Sequence, residues 1–515
     1  MQGEYRGDFT RDTFYPANHF CRVLMQQGRV QLDADWNEQA AILLYYLRSL
    51  AGDLIGQHGG PVPAGFAVTP VASGTQPISD LNLSPGHYYV DGILCELDSG
   101  TTASYHQQPA FPNPPAIPPG TDAIVYLDIW ERHLTSAQQD QIREVALGGP
   151  DTASRAQIVW QLKLLASSQD SGFKGASIGN LFQTLQQQAD TAQTDTRQKY
   201  NIADGSWREV TDYLQTTSGG QMAARVQPQN TSTNPCVISP QSAYRGTENQ
   251  LYRVEIHTGG NTVWSGKTDS STGKPADTQN AVTFKFSREN GSVVFPILQL
   301  GTTPRSGTVA AQTTVVLANL GPDRRLSLNV NDWVEILDDD SDLAVSGQSQ
   351  APGSLLQVQA VDPATMTVTL VGTTAVTVDQ PPTKHPLLRR WDQQPGDGKT
   401  SNLILDSATG AVLLQTGAWL TLEDGIQIQF PATQRKIEEG QTHPLALYRP
   451  GDYWLIPARV ATGGIEWPQT TDRQGNQTPA AQPPHGIEHH YAPLAYLGIN
   501  NRVVDLRRTY DPLAK

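Results

Sequence analysis

Apolar residues recur with helical spacing in one stretch near the start of the chain. The intervals alternate between four and three residues, as along the seam of a coiled coil, and the positions are Trp36, Ala40, Leu43, Leu47, Leu50 and Leu54. We call these six residues the seam. The pattern predicts an amphipathic helix that begins at Asp33 or Asp35 and ends at Gly52 or Gly56, because Asp favours helix starts and Gly favours helix ends.

The seam has two interpretations that the sequence leaves open. It can pack on the protein's own β-rich body, or it can meet copies of itself or a partner helix in a short bundle. The repeat covers less than three heptads, and Leu44 and Tyr46 widen the apolar face beyond a narrow stripe. At the start of the helix, Asp35 with Glu38 three residues later approximates a capping box, with Asp in place of Ser or Thr.

Beyond residue 60 the pattern changes to short runs that are typical of strands. Residues 123–130 are largely apolar, which suits a buried strand, and residues 159–164 alternate, which predicts a half-buried strand. Residues 250–257 also alternate cleanly. Asp91-Gly92 between two β-like runs predicts a hairpin turn. The fold class is therefore mainly β and multidomain, with an N-terminal arm, one amphipathic α-helix, and antiparallel β-sandwich or barrel-like modules after it.

Shifts in composition predict four units along the chain. Residues 1–60 form the arm and helix, and residues 61–300 form a β-rich domain. A polar, partly helical insertion lies within that domain at about residues 169–222. Residues 301–385 form a small β-barrel or sandwich because short strands and turns follow each other closely there. Residues 386–515 form a C-terminal β-rich domain.

The composition narrows the class of partner. Among 515 residues, 38% are hydrophobic and 17% are charged, so polar uncharged surface is abundant, as in β-proteins that pack against other subunits. The net charge of −14 argues against nucleic acid, which needs a basic face to displace counterions. It argues equally against anionic membrane surfaces. We therefore expect protein partners, no nucleic acid and no membrane insertion.

The cysteines and the start of the chain bear on the compartment. Cys21, Cys95 and Cys236 lie far apart and lack metal-ligand spacing, so we expect free thiols and folding in a reducing cytoplasm. The first residues lack the apolar run of a secretory signal. No window approaches the ~18 consecutive apolar residues of a membrane span. We therefore expect cytoplasmic assembly without a signal peptide.

Few residues suggest chemistry. His485, His489 and His490 lie close together and could ligate zinc, or one of them per chain could bind a shared metal on a symmetry axis. However, the flanking prolines and glycine indicate a loop or strand whose histidines bond to the backbone. The acidic run at residues 338–342 could bind a cation, but we expect a solvated turn there. No catalytic motif is present, so we expect no enzyme activity and no cofactor.

The N-terminal segment resembles an uncharacterised bacterial family. The resemblance rests on residues 7–12 (GDFTRD) and residues 22–38 (RVLMQQGRVQLDADWNE). Other similar stretches are spread over most of the chain, at residues 89–94, 143–151, 248–256 and 485–494. Genes of this family look like neighbours of the genes for extracellular contractile injection systems, which are phage-tail-like particles. A looser similarity connects Gln27-Gly28-Arg29, Leu32 and Asn37-Glu38 with the N-terminal arms of phage tail-fibre and baseplate proteins.

The resemblance implies a structural part of such a particle, at the baseplate periphery or in a fibre, made in a bacterial cytoplasm and then released or membrane-anchored with the particle. Its partners would be baseplate or other particle proteins and further copies of itself, with a trimer favoured by analogy with fibres. Arg11, Arg29 and the seam would dock. The alternative is a tailspike-like protein that binds or degrades cell-surface glycans. Its stacking surfaces could be Trp130, Trp160, Trp207 and Trp419, with paired carboxylates among Asp128, Glu131 and Glu144.

Overall fold

The computed structural model describes most of the chain. Its described residues are 5–71, 77–120, 122–149, 151–167, 176–191, 202–215, 219–228, 243–269, 271, 275–306, 310–346, 353, 355–398, 401–431, 448–471, 474–498 and 502–511. Cys236 and parts of the predicted insertion at 169–222 lie outside these residues.

The described residues form four α-helices: α1 (Asp33–Ile55), α2 (Ala176–Thr191), α3 (Asp204–Leu214) and α4 (Asp339–Ser346). Three short 3₁₀ turns accompany them, at Pro16–Asn18, Asp140–Ile142 and Val145–Leu147. Helices α2 and α3 lie where the sequence predicts a partly helical insertion.

Helix α1 confirms the predicted helix, which begins at Asp33, although its cap differs from the predicted one. The residue before its first turn is Leu32, whose N–H donates to the Asp35 carboxylate at 3.3 Å. Asp35 therefore acts from inside the helix, and the predicted capping box with Glu38 is wrong. At the other end Gly56 takes a φ of +87° and donates its N–H to the carbonyl of Gly52 at 2.8 Å. Only Gly adopts this conformation without strain.

Strands dominate the rest of the structure, as the fold-class prediction requires. The strands before residue 290 are β1 (His58–Pro61), β2 (Val68–Val71), β3 (Asp80–Leu83), β4 (Gly86–Val90), β5 (Ile93–Leu97), β6 (Ala103–Ser104), β7 (Ala123–Leu134), β8 (Arg155–Ala166), β9 (Ala223–Val226), β10 (Gln250–Thr258) and β11 (Thr283–Ser287). The next six are β12 (Val294–Thr303), β13 (Gln312–Leu317), β14 (Trp333–Leu337), β15 (Leu356–Asp362), β16 (Thr367–Val371) and β17 (Leu387–Trp391). The last ten are β18 (Val412–Leu413), β19 (Trp419–Thr421), β20 (Ile426–Gln429), β21 (Tyr453–Arg459), β22 (Gly464–Ile465), β23 (Gln469–Thr471), β24 (Gln477–Pro479), β25 (His490–Leu497), β26 (Val503–Asp505) and β27 (Thr509–Tyr510).

The first core lies among three sheets with strand orders β26-β25-β7-β8, β27-β1-β4-β5 and β2-β3-β6. The predicted hairpin joins β4 to β5, and its turn residues Asp91 and Gly92 both have positive φ. Strand β7 faces this core on one side and helices α2 and α3 on the other. Burial on both faces explains why residues 123–130 are largely apolar.

The same burial extends to β8, where the prediction of a half-buried strand is wrong. Residues 159–162 are all buried, including Gln161, whose side-chain amide donates to the carbonyl of Ala110 at 2.6 Å. This hydrogen bond gives a partner to the amide nitrogen and offsets part of the cost of burying the polar group, whereas Oε1 of Gln161 has no hydrogen-bond partner among the described residues.

A second core lies between the sheet β18-β11-β10-β21-β22 and the smaller sheet β19-β20-β9. Strands β12 to β17 form a third unit, a closed barrel with the order β12-β13-β16-β15-β14-β17 and its own apolar interior. Strands β23 and β24 pair separately. The barrel strand β17 lies against β11. Strand β11 belongs to the sheet β18-β11-β10-β21-β22, which we call the second sheet. The barrel therefore lies beside the polar face of the second sheet, which carries Lys285.

Strands late in the chain complete sheets that begin before residue 300. Strand β25 pairs with β7, β21 with β10, β20 with β9, and β27 with β1. Strands of the predicted C-terminal domain, residues 386–515, therefore share sheets with strands from before residue 300. The predicted boundary at residue 386 does not separate two sets of sheets.

The acidic run also differs from the prediction of a solvated turn. Residues 339–342 begin helix α4, and two of its carboxylates hold Arg132 of β7, Asp339 at 2.7 Å and Asp342 at 2.9 Å. Acidic side chains favour the first turn of a helix because its free N–H groups carry partial positive charge. The run therefore connects the barrel to the sheet β26-β25-β7-β8, which we call the first sheet.

Candidate functional site

Helix α1 is fixed to the body along one face. Ala34 and Ile42 are buried there. Arg48 forms an ion pair with Glu131 near the end of β7, and its backbone carbonyl lies so close to Gly92 that a Cβ atom at that position would clash. These contacts hold the helix against the β4–β5 hairpin and β7.

The seam lies on the part of α1 that faces solvent. Its large side chains are between 54% and 79% exposed, and Ala40 is exposed as well. Leu44, Tyr45 and Tyr46 add to the same apolar surface. Thus the seam residues do not form the contact between α1 and its own body.

The arm before α1 begins as a buried anchor. The Arg6 guanidinium bonds both oxygens of Glu255 on β10, at 3.2 and 3.1 Å. The side-chain amide of Asn290 donates to the carbonyls of Tyr5 and Gly7 at 3.1 and 3.0 Å. The arm therefore inserts between the first sheet, the second sheet and the barrel.

Glu255 is the centre of a buried ion cluster. In addition to Arg6, it accepts from Arg253 at 2.6 Å and pairs with Lys285 at 3.3 Å. Lys285 continues to Glu335 of the barrel at 2.8 Å. Burial alone would raise the pKa of Glu255, but Arg6, Arg253 and Lys285 outweigh it and hold that pKa well below its usual value. Glu255 is thus ionised at neutral pH.

Past the anchor, the arm runs along the outside of the body and helix. Arg11 pairs with Glu466 at 3.1 Å, both about 40% exposed. The backbone N–H of Thr10 donates to Asp33 at 2.9 Å, and the hydroxyl of Thr13 donates to Glu38 at 2.7 Å. Arg29 lies in the exposed turn at Gly28. The arm here also carries exposed apolar side chains, namely Tyr15, Phe20, Leu24, Met25, Val30 and Leu32.

A groove of about 1130 Å³ lies where the arm, α1, the end of β7 and the barrel meet. Trp36, Ala40 and Leu44 of α1 line one wall, and Phe295 of β12 lines the barrel side. The seam therefore continues into a concave surface on its own protein.

The structure does not bring the candidate zinc histidines together. His489 is buried and bonds to Asp128 at 2.7 Å, whereas His490 bonds to Asp91 of the hairpin turn at 2.9 Å. His485 packs against the ring of Tyr453. Among the described residues, no group of three or more His, Cys, Asp or Glu side chains is arranged to hold a metal ion.

The residues named for glycan stacking occupy other places. Trp130, Trp160 and Trp207 are buried in the cores, and Trp419 is covered on one face by the Arg225 guanidinium at 3.8 Å. Stacking on a sugar needs an accessible ring face, so three of these four tryptophans do not offer one.

The paired carboxylates of that alternative also have structural partners. Asp128 bonds to His489 and Lys163, and Glu131 binds Tyr5 and Arg48. Glu144 caps the turn at Val145–Leu147 through a hydrogen bond from Ala146. Each of these three carboxylates therefore has a hydrogen-bond or ion-pair partner within the protein.

A comparison with known protein families assigns this chain to one of them. The model of DUF6519, described as a family of unknown function, matches residues 5–205 and residues 174–507. The chain belongs to this family. No curated protein matches its sequence significantly. Among solved structures, a crystal structure of TssK matches with 10% sequence identity and a TM-score of 0.16, covering 73% of this chain and 97% of TssK. A TM-score of this size carries no argument about the fold.

This DUF6519 member has functional candidates that the sequence did not indicate. Arg6, Glu255 and Asn290 hold the arm, and no local motif marks them. The one available signal is the alternation in β10, which places Arg253 and Glu255 on one face opposite Lys285 of β11. Opposite charges on one face of two strands can pair, but the pattern does not say that the barrel covers that face. Within the described residues, no helix is long and apolar enough to cross a membrane.

Proposed function

We propose that this protein is a structural component of a phage-tail-like contractile injection particle, at the baseplate periphery or as a fibre-like attachment protein, and that it docks through residues 1–60. The observation that carries the proposal is the seam, an exposed row of apolar side chains on a helix that the body holds in place. The resemblance of the N-terminal segment to a family associated with such particles supports the same assignment.

The energetics favour a covered seam. Fully burying a Leu side chain contributes about 1.5–3 kcal/mol, and four leucines of the seam are more than half exposed. In soluble proteins, a large contiguous patch of exposed apolar side chains usually marks an interaction site, whereas single exposed apolar side chains are common and need no explanation. The body already positions α1, so docking orders little additional backbone, and less conformational entropy is lost.

The partners in this proposal are baseplate or other particle proteins together with further copies of this chain, and a trimer is the favoured assembly. The alternating spacing of four and three residues is the one by which helices pack side by side in bundles. In the cell, the chain would assemble in the cytoplasm and then belong to a particle that is released or membrane-anchored.

Co-sedimentation with purified particles tests docking. The variant carries Leu43→Asp and Leu47→Asp, which place two charges in the seam. The matched control carries Val145→Asp and Leu147→Asp, two side chains that are 84% and 66% exposed on a turn far along the chain from the seam. We expect the seam variant to stay in the supernatant, with a Tm like that of the unchanged chain, and the control to sediment with particles. Sedimentation of the seam variant at the unchanged level would refute docking by the seam.

Point substitutions are preferable to deletion of residues 1–60. The deletion would also remove Arg6 and leave Glu255 and its neighbours without a charge that the buried cluster contains. A loss of binding by the deleted chain would then mix docking with loss of stability.

A further inference from the structure

The exposed apolar side chains of the described residues are concentrated at the start of the chain, in two groups. One group is the seam with its neighbours Leu44, Tyr45 and Tyr46 on α1. The other group lies on residues 15–32, which we call the outer arm. Its exposed apolar side chains are Tyr15, Phe20, Leu24, Met25, Val30 and Leu32. Every copy of the chain therefore carries two separate apolar surfaces.

The outer arm is basic, although the chain as a whole is acidic. Residues 13–32 contain no Asp or Glu, whereas the net charge of the chain is −14. Arg22 and Arg29 are exposed, and neither forms an ion pair with another described residue. The outer arm thus presents guanidinium groups together with apolar side chains.

The end of the seam is acidic. A pocket of about 390 Å³ lies beside the last turns of α1, and we call it the acidic pocket. The ionisable side chains in its lining, apart from Tyr45, are Arg48, Asp53, Asp91, Glu488 and His490. Arg48 pairs with Glu131, and His490 bonds to Asp91. Asp53 and Glu488 are exposed and form no ion pair with another described residue.

The helix itself adds to the negative potential of the acidic pocket. The last turn of α1 carries no basic side chain, and the C-terminus of a helix has partial negative charge that attracts cations. The pocket therefore suits a guanidinium group that comes from outside it.

The outer arm of the same chain does not reach this pocket. The backbone N–H of Val23 donates to the side chain of Gln39 at 2.8 Å, which places Arg22 beside the first half of α1. Asp53 follows Gln39 by 14 residues, which is about 21 Å along the helix at 1.5 Å per residue. Arg29 lies in the turn before the helix begins and is farther still. An ion pair between the outer arm and the acidic pocket therefore requires two copies.

We propose that the outer arm of one copy covers the seam of a second copy and places Arg22 or Arg29 in the acidic pocket there. This inference rests on the proposed role of the seam as a docking surface and names its occupant, a second copy of this chain. The apolar side chains would supply most of the affinity, while the opposite charges would select the partner surface and its direction.

The contact is head-to-tail, because it joins different surfaces of the two copies. Such contacts close into a ring when the rotation between copies permits it, and a ring of three would use both surfaces of every chain. We expect a dissociation constant of about 10 μM. The dilute chain is then a monomer with an exposed seam, and copies held side by side in a particle associate because their effective concentration is high.

Sedimentation of the full chain without particles, over a series of concentrations, tests the contact. We expect association of the unchanged chain, and a dissociation constant at least about tenfold higher for Arg22→Glu with Arg29→Glu, because like charges then face each other. The matched control, Arg305→Glu with Arg324→Glu, makes the same change of charge at two exposed arginines outside the arm and α1, and it should associate like the unchanged chain. The mass of one chain at every concentration up to about 100 μM, ten times the expected constant, would overturn the proposal.

A charge exchange tests which surfaces meet. Asp53→Arg with Glu488→Arg should weaken association as the arm variant does. Combining all four substitutions in one chain should restore association, because each contact then has opposite charges again. A combined variant as weak as either parent variant, or a control as weak as the arm variant, would overturn the pairing of arm and pocket.

The two proposals fail separately. These charge variants keep every apolar side chain of the seam, whereas the test of particle docking uses Leu43→Asp with Leu47→Asp. A chain that stays monomeric but needs Leu43 and Leu47 to sediment with particles would overturn the second copy as occupant and leave docking in place. A seam variant that loses self-association but still sediments with particles would refute docking alone.

Discussion

The strongest stability prediction concerns the charge of Glu255. Glu255→Gln keeps the shape of the side chain but removes the carboxylate that faces Arg6, Arg253 and Lys285. Removing one partner of a buried ion pair typically costs about 3–5 kcal/mol because the remaining charge stays buried. Arg6, Arg253 and Lys285 would then stay buried with one carboxylate fewer between them, so we expect a cost in that range.

Two further variants calibrate the effect. Arg6→Met leaves Glu255 paired with Arg253 and Lys285, so the expected cost is that of a hydrogen bond to a charged group, about 1.5–3 kcal/mol. Arg11→Met removes the exposed pair with Glu466, for which about 0–1 kcal/mol is expected. The three variants thus form a series ordered by burial.

Differential scanning calorimetry measures the series. The entropy of unfolding is about 2 cal/mol/K per residue, so for 515 residues a loss of 1 kcal/mol lowers Tm by about 1 °C under cooperative unfolding. We expect decreases of about 3–5 °C for Glu255→Gln, about 1.5–3 °C for Arg6→Met and less than about 1 °C for Arg11→Met. If Arg11→Met lowered Tm as much as Glu255→Gln, the reasoning from burial would be refuted.

Three other predictions follow from the same structure. Burial alone would raise the pKa of Asp128, but its contacts with His489 and Lys163 lower it to about 2. The Asp128 carboxylate therefore contributes stability that is present above pH ~4 and lost as the pH falls towards 2. Asp128→Asn should make Tm less dependent on pH in that range, and an unchanged slope of Tm against pH would contradict this. Burial first of all lowers the pKa values of His133 and His257 to about 3 and about 4; the unfolded chain takes up these protons first, so Tm should fall as the pH drops from ~6.5 to 4, and a rise would contradict it. Gly92→Ala adds a Cβ that meets a backbone carbonyl of α1, whereas Gly100→Ala, also at positive φ, meets nothing within 4 Å; calorimetry should show the larger loss of Tm for Gly92→Ala, and equal losses would argue against this packing of α1.

Local sequence patterns were sufficient for the elements whose environment is local. The seam spacing and the glycines after it predicted α1, and Asp91-Gly92 predicted the β4–β5 hairpin, because helix periodicity and turn chemistry depend on neighbouring residues. The apolar run at residues 123–130 also predicted a buried strand, because a run without polar alternation is typical of a strand that is covered on both faces.

Patterns that depend on distant residues were misread. The alternation in β8 suggested one solvated face, yet Gln161 is buried, because the covering elements come from elsewhere in the chain. The pairing of β25 with β7 joins His490 to Ile129, and no local signal specifies such a contact. Strand pairing over this distance is set by tertiary packing rather than by propensity.

The candidate site shows the same division. The apolar spacing identified the seam, but whether it would be covered depended on how α1 sits on the body. The structure leaves it exposed. No local motif marked Arg6 as an anchor, because its partner Glu255 is 249 positions away.

The most direct test of docking measures whether the seam is covered in the particle. Leu47→Cys and, as a control, Val145→Cys are introduced into separate chains in which Cys21, an exposed free thiol, is replaced by Ser. A thiol reagent labels each chain free and in assembled particles, and mass spectrometry reads the labelled peptide. We predict that Cys at position 47 reacts rapidly in the free chain and at least about tenfold more slowly in particles, as expected for a side chain removed from solvent, while position 145 reacts equally in both. Equal labelling of position 47 in free and particle-bound chains would contradict the claim that the protein docks by this helix.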